Sequence, residues 1–210
     1  MSSPALFEDI HVNDFYEKNA HKFKSTRNGY MWKYVKIFLD SVPPHSIVGD
    51  LGCGSGRNMY YRSDLKFIGC DGSVELVKIC QSDGLDVVHS NILNMPFADE
   101  SFDYTICIAV LHHLSTFERR SKALNEMLRV LKPGGKMLLS VWSYEQEEDS
   151  KRKFDLGDNM VSWEISTGEI KDRYYYIFSK DTLIDFLEIN KIVYTEMFNE
   201  KGNWYVIIQK

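Results

Sequence analysis

The stretch Asp50-Leu51-Gly52-Cys53-Gly54-Ser55-Gly56 limits the possible folds more than any other part of the chain. It joins an apolar segment that reads as a strand (46–51) to a short helix expected from Arg57. Alternating glycines at such a turn open backbone dihedrals closed to other residues and let the main chain approach a ligand. At the carboxyl end of a parallel strand, this is where α/β sheets bind small molecules. Two neighbouring features narrow the ligand. Arg57 stands where the dinucleotide fingerprint Gly-x-Gly-x-x-Gly needs its last glycine, and no Gly-Lys-Ser/Thr follows to make a P-loop.

Strand and helix patterns alternate along the rest of the chain. Val12, Phe15, Tyr16, Asn19 and Phe23 recur at helical spacing, as do Met31, Tyr34, Val35, Phe38 and Leu39, and Pro43-Pro44 ends the second helix. The strand KFIGC (66–70) ends at Asp71; Ser73 is the expected N-cap of a helix through Ile79, and Gly84 closes it. The short strand DVVHS precedes a loop containing Pro96, and FDYTICIAV (102–110) is continuously apolar, as a strand covered on both faces should be. Ser115-Thr116-Phe117-Glu118 reads as a capping box before a helix whose stripe is Leu124, Met127, Leu128 and Leu131. Pro133-Gly134-Gly135 stops that helix and opens the strand KMLLSVW. Between Tyr144 and Asp172 the chain turns polar, acidic EQEED followed by basic KRK, and a partly mobile surface insertion is expected. A strand (RYYYIF), a helix from Ser179 to about Ile189 and a hairpin of strands near 191–198 and 203–209, turning at Gly202, complete the pattern. It is that of an α/β fold, a doubly wound and mostly parallel sheet with helices on both faces and one antiparallel strand, expected as one domain over 1–210.

Charge and cysteine usage exclude several classes. Lys plus Arg (25) against Asp plus Glu (30) leaves a net charge of −5, which argues against a generic nucleic-acid binder but not against local basic patches. No apolar run approaches the ~20 residues of a membrane span, and MSSPALFEDIH lacks the apolar core of a signal peptide. Cys53, Cys70, Cys80 and Cys107 have neither CxxC nor metal-ligand spacing. They are expected to be reduced thiols, with no metal site, in a cytoplasmic or alternatively nuclear protein.

Asp71 lies 19 residues after Gly52, where a carboxylate accepts both hydroxyls of an unphosphorylated ribose or, alternatively, caps the helix behind Gly72-Ser73. Asn91-Ile92 follows the third strand and is placed to read an adenine edge. DLGCGSG, the acidic end of strand two, and LKPGG (Leu131 to Gly135) together resemble the class I S-adenosylmethionine-dependent methyltransferases over residues 46–142. The resemblance implies a seven-stranded sheet of order 3-2-1-4-5-7-6. It also implies S-adenosyl-L-methionine lying across Gly52, Gly54, Asp71 and Asn91, with Tyr16, Asp50, Ile92 and Ala109 completing the cofactor-binding set.

Four further segments carry substrate information: FYEKNAHKFKSTR (Phe15 to Arg27), IAVLHHLSTFERR (Ile108 to Arg120), RYYYIF (Arg173 to Phe178) and GNWYV (Gly202 to Val206). In this order they resemble the eukaryotic tRNA wobble-uridine carboxymethyl methyltransferases, from about Val12 to Gln209. The insertion at about 144–172 departs from that family, whose members often carry a longer, basic one. The resemblance implies methyl transfer to the carboxylate of a 5-carboxymethyl group on the first anticodon uridine, giving the methyl ester. It also implies a heterodimer with a small zinc-binding activator protein, the zinc residing in the partner.

The residues suit that chemistry. A carboxylate with an unperturbed pKa near ~4 is already a nucleophile at neutral pH. What remains is positioning, desolvation and alignment. Arg27 is the first choice to clamp one face of the acceptor carboxylate through paired hydrogen bonds, with the methionine carboxylate of the cofactor as its alternative partner. Side chains alternate along a strand, so at most one of His112 and His113 faces the substrate; His113 is the expected donor, with His112 packed behind. Trp204 and Asn203 are expected to supply an aromatic surface and an edge-reading amide for a splayed base, with Tyr175 and Arg173 nearby in the family's arrangement. Lys22, Lys24, Arg27, Arg119, Arg120 and Lys151–Lys153 form a candidate phosphate track. The edge strand Asp86 to His89, with Val87, Val88 and no proline, invites strand addition by the partner. Competing readings are a small-molecule methyltransferase with a closed apolar pocket, a non-catalytic binding subunit and, more distantly, a dehydrogenase.

Overall fold

A computed structural model describes residues 3–26, 31–164 and 168–210. The chain opens with a broken helical run: α1 (Pro4–Glu8), a π-helical turn at Asp9–Asn13, α2 (Asp14–Lys18) and α3 (Ala20–Ser25). Then come α4 (Lys33–Ser41), β1 (Ile47–Leu51), a 3₁₀ turn at Arg57–Tyr60, β2 (Lys66–Asp71), α5 (Val74–Ser82), β3 (Val87–His89) and β4 (Phe102–Ile108). A second 3₁₀ turn at Leu111–His113 leads to α6 (Phe117–Val130), β5 (Leu131–Trp142), β6 (Gly157–Glu164), β7 (Ile170–Ile177), α7 (Lys180–Ile189), β8 (Tyr194–Glu200) and β9 (Asn203–Gln209).

Seven strands form one sheet in the order β3-β2-β1-β4-β5-β9-β8, the expected topology with the terminal hairpin in places six and seven. β9 alone runs against its neighbours, pairing Leu138 with Ile207 and Trp142 with Asn203 on one side and Tyr194 with Ile208 on the other. The central strands are covered on both faces, which explains their continuous apolar sequences. One face buries Leu124 and Met127 of α6 with Leu183 and Leu187 of α7; the other buries Val35, Phe38 and Leu39 of α4 with Val77 and Cys80 of α5. All four cysteines are buried free thiols. Among the described residues no helix is long and apolar enough to cross a membrane.

Several local expectations change. α6 ends at Val130, so Leu131 belongs to β5, which runs through Pro133-Gly134-Gly135, and the helix expected from Arg57 is a 3₁₀ turn. Thr116, not Ser115, caps α6, accepting the Arg119 amide at 3.3 Å, because Ser115 is turned to Glu8 instead. The polar stretch 144–172 is not loop throughout: β6 pairs antiparallel with β7 from Gly157↔Ile177 to Glu164↔Ile170. Its residues alternate between half-buried and exposed without an apolar run, so the strand left little trace in the sequence.

Candidate active site

A cavity of about 570 Å³ opens over the carboxyl ends of the strands, within the usual size for a small-molecule site. Sheet order divides it. The turns after β1, β2 and β3 make one end, and the ends of β4, β5 and β9 with β7 make the other.

The first end is the glycine turn. Gly52 has φ +83°, and a Cβ there would meet Val110 Cγ2 at 2.3 Å, so no other residue fits without displacing the wall. The turn's amides are already engaged. Gly52 and Cys53 N–H both donate to the Cys70 carbonyl, Gly56 N–H to the Cys53 carbonyl, and Gly54 N–H to Asp71 Oδ2 at 2.8 Å. Four of its five amides are thus committed, which leaves no nest for a phosphate and disfavours the nucleotide readings. Asp71 also accepts the Ser73 amide through Oδ1 at 2.9 Å, which fixes it facing the cavity, while Ser73 caps α5 by accepting the Leu76 amide. Burial pushes its carboxyl above the ordinary range, against the pull of these backbone donors. Gly54, Asn91, Ile92 and Ala109 line the cavity. Ala109 sits at φ +61°, a left-handed conformation costly for a residue with a Cβ, at the point where β4 turns into the site.

Asp50 is corrected. It is fully buried beneath the turn and does not line the cavity; Oδ2 receives Asn58 Nδ2 at 3.4 Å while Oδ1 has no partner among the described residues. Burial raises its carboxyl to about 7. Asn58, which does line the cavity, keeps a buried Oδ1 without a described partner. An unfilled acceptor there, Asp71 and the close-approach turn suit a ligand bearing hydroxyl and amine donors.

The helical run α1–α3 walls the cavity and is held by two carboxylates. Glu8 accepts Arg119 at both oxygens (Nη2 at 2.6 Å) and the Ser115 amide at 2.7 Å. Glu17 accepts Ser73 Oγ at 2.7 Å and the Glu75 amide at 3.2 Å. The expected phosphate track is therefore largely spent. Arg119 belongs to Glu8, Lys24 pairs with Asp83, and Lys22 donates to the Glu164 carbonyl. Arg120 is buried over the Tyr176 ring, and of that set Arg119 and Arg152 line the cavity. Arg27 lies outside the described residues.

The second end differs from expectation in a consistent way. His113 lines the cavity, but both its nitrogens are used. Nδ1 donates to the Tyr174 carbonyl at 2.9 Å, so Nε2 accepts from the Tyr16 hydroxyl at 2.9 Å. Arg173 Nη1 in turn donates to Tyr16 Oη at 3.0 Å. Burial and the Arg173 charge hold His113 down at about 3 despite the Tyr174 bond. His113 thus braces Tyr16, with neither ring nitrogen left to face the cavity. Arg173 is also corrected: it stands behind the wall, over the Phe15 ring at 4.4 Å, and does not line the cavity.

His112 is the reverse. Its Nδ1 accepts the Trp142 amide at 2.9 Å, which places the proton on Nε2, and Nε2 is buried without a described partner. Burial, with His113 and Arg173 nearby, keeps this ring neutral by lowering its pKa well below the ordinary value.

Trp204 is corrected as well. Neighbours on a strand point to opposite faces. Asn203 lines the cavity, whereas Trp204 turns into the core and donates Nε1 to Glu145 at 2.9 Å. The aromatic surface that sequence reasoning missed is Trp142, which pairs with Asn203 and lies flat on Tyr175, centroids 4.1 Å apart at 12°. Period-two counting from Asn203 across the β5–β9 ladder was the signal. Asn203 Nδ2 closes its own turn, donating to the Glu200 and Lys201 carbonyls at 3.2 and 3.1 Å. Arg152 covers the Trp142 ring at 4.9 Å and faces the cavity.

A doubly wound sheet with a close-approach glycine turn and a ligand cavity at its carboxyl edge defines the class, and residues 49–139 match the family model described as a methyltransferase domain. A protein of Encephalitozoon cuniculi named "putative methyltransferase" is 34% identical over 217 residues, covering 100% of both chains. The Arabidopsis thaliana tRNA (carboxymethyluridine(34)-5-O)-methyltransferase is 44% identical over 149 residues, 71% of this chain and 36% of that protein. The chain belongs to the family of the tRNA wobble-uridine carboxymethyl methyltransferases. It spans about a third of the length of the Arabidopsis protein and of a bovine tRNA methyltransferase relative. Among solved structures, a Haloferax volcanii methyltransferase in complex with the Trm112 methyltransferase activator shares the fold, with TM-score 0.67 and 19% identity over 94% of this chain and 96% of that one.

Proposed function

We propose that this chain transfers a methyl group from S-adenosylmethionine to the carboxylate of a 5-carboxymethyl group on the wobble uridine of tRNA, giving the methyl ester. The observation that carries this reading is the state of the two histidines at the acceptor end. His113 has both nitrogens engaged, His112 has Nδ1 engaged and Nε2 protonated, and both are held neutral. Neither can take a proton, which supports an acceptor that arrives already ionised, as a carboxylate does at neutral pH.

S-adenosylmethionine supplies a methyl group on a positively charged sulfur. Asp71 and the Gly52–Gly54 turn would hold its ribose and methionine portions, and Asn91-Ile92 its adenine. Tyr16, braced by His113 and Arg173, keeps a fixed hydroxyl on the cavity wall. Trp142 stacked on Tyr175 offers a rigid surface for an extruded base. The polar and aromatic lining at this end favours a nucleoside over a quinone or sterol. For Arg27, which lies outside the described residues, the methionine carboxylate of the cofactor is the partner that fits this reading.

As catalytic subunit the chain would pair with a small zinc-binding activator, and through β3; that a Haloferax methyltransferase of this fold is found in complex with the Trm112 activator supports an activator partner. β3 has a neighbour on one side only. The Asp86 carbonyl accepts the Gly69 amide and the Ser90 amide reaches the Asp71 carbonyl, so by alternation Val87 and His89 turn their backbone groups to the open edge. Val87 itself is buried, so its side chain is not the contact.

The test is methyl transfer from labelled S-adenosylmethionine to tRNA bearing 5-carboxymethyluridine, with and without the activator. Incorporated label should be released by mild alkali, as from an ester. Alkali-stable label, or none on this tRNA, would overturn the reading.

A further inference from the structure

The acceptor carboxylate needs a partner that orients it without pairing off its charge. In the transfer, a lone pair on one carboxylate oxygen forms the bond to the methyl carbon. The methyl–sulfur bond breaks and its electron pair stays on sulfur. Negative oxygen and positive sulfur are both neutralised, and no proton moves. A cationic clamp would stabilise the full negative charge of the reactant more than the fading charge of the transition state, and so would oppose the reaction. A neutral N–H donor in a dry site holds direction at a smaller cost.

Resting on the function proposed above, we infer that the Nε2–H of His112 holds one oxygen of the acceptor carboxylate and leaves the other free to attack. Four observations converge on this atom. His112 is wholly buried yet lines the cavity. Its tautomer is set by structure, since Nδ1 accepts the Trp142 amide at 2.9 Å. Its Nε2 lacks a partner among the described residues, an arrangement that buried donors avoid unless something else completes it. Ser140, on the same face of β5 as Trp142, lines the same end with a second buried oxygen that lacks a partner among the described residues. A carboxylate would satisfy both groups, whereas the uracil edge alone would leave the reactive group unplaced. His113, its neighbour, is excluded from this role by its bonds to Tyr16 and Tyr174.

Two variants separate this role from structural support. In His112→Asn the side-chain oxygen takes the place of Nδ1 and still accepts the Trp142 amide, but the outer donor is gone. In His112→Gln the amide nitrogen takes the place of Nε2, but the inner acceptor is gone. The protein loaded with S-adenosylhomocysteine, with activator if wild type requires it, is titrated with two anticodon stem-loops, one carrying 5-carboxymethyluridine and one carrying uridine. The wild type should prefer the carboxymethyl loop by tenfold or more, the range of a hydrogen bond to a charged group. His112→Asn should bring this preference within threefold and lower kcat at least tenfold, with S-adenosylhomocysteine affinity unchanged within twofold. His112→Gln should retain most of the preference. If His112→Asn keeps the wild-type preference and turnover while His112→Gln loses them, the histidine is a brace for Trp142 and the inference falls. If the wild type neither prefers the carboxymethyl loop nor methylates it, the proposed function fails and this inference with it.

Discussion

The two ends of the cavity are built by different rules. The glycine-turn end comes mostly from one stretch, Gly52 to Ile92, in which the turns after β1, β2 and β3 face the cavity. The acceptor end is gathered from the 3₁₀ turn after β4, the last residues of β5, the middle of β7 and the first residue of β9. At the first end, consecutive residues do consecutive jobs. At the second, a residue's role depends on which face of its strand it occupies and what lies across the ladder. The general chemistry is therefore written locally, and the choice of acceptor is written in tertiary pairing.

This contrast can be attacked at either end. The largest effect is expected beneath the glycine turn. Asp50 has a folded pKa of about 7 against an ordinary 3.8, so the folded state holds the proton more tightly. The sign follows: its burial costs nothing below the unfolded value and progressively more as pH rises through that window. Asp50→Asn should therefore stabilise the free protein at pH 8 by at most about 4 kcal/mol, and by little at pH 4, in urea unfolding. A pH-independent difference would mean that the carboxylate is solvated. Next, Asp71→Ala should weaken S-adenosylmethionine binding at least 100-fold by calorimetry, with Asp71→Asn intermediate; unchanged affinity would remove it from the cofactor end. Trp142→Ala should lower kcat/KM for tRNA by about 10- to 30-fold, in the range of base–aromatic stacking, and leave cofactor affinity alone. Should both affinities fall together, the two ends are not separable. The smallest effect is expected at Arg152→Ala, a few-fold rise in KM for tRNA that shrinks with added salt, because this side chain sits at the exposed mouth.

Legibility in the sequence follows the same division. Gly52, Gly54, Asp71 and the Ser73 cap were readable because turn and cap chemistry depend on a few adjacent residues. The strand order followed from element order and family resemblance. Trp204 was misjudged because Asn203 and Trp204 are adjacent in sequence and opposite in space, and only the pairing of Trp142 with Asn203 reveals which ring reaches the cavity. The bonds of His112 and His113 were not legible because they lie in a 3₁₀ turn, where strand alternation does not hold, and because their tautomers are set by the distant Trp142 amide and Tyr174 carbonyl. Arg119 looked free until Glu8, 111 residues away, closed on it. Long-range ion pairs of this kind have no local signature.

In the proposed transfer an acceptor already carrying its charge is held in line, so that orientation stands in for deprotonation. The direct test is the pH profile of kcat at saturating S-adenosylmethionine and carboxymethyluridine tRNA. Between pH 6 and 9 it should be flat within about twofold, because a carboxylate near ~4 is ionised throughout and both histidines stay neutral. A rate that climbs tenfold per pH unit through neutrality would reveal a proton-accepting group in the transfer and contradict the account.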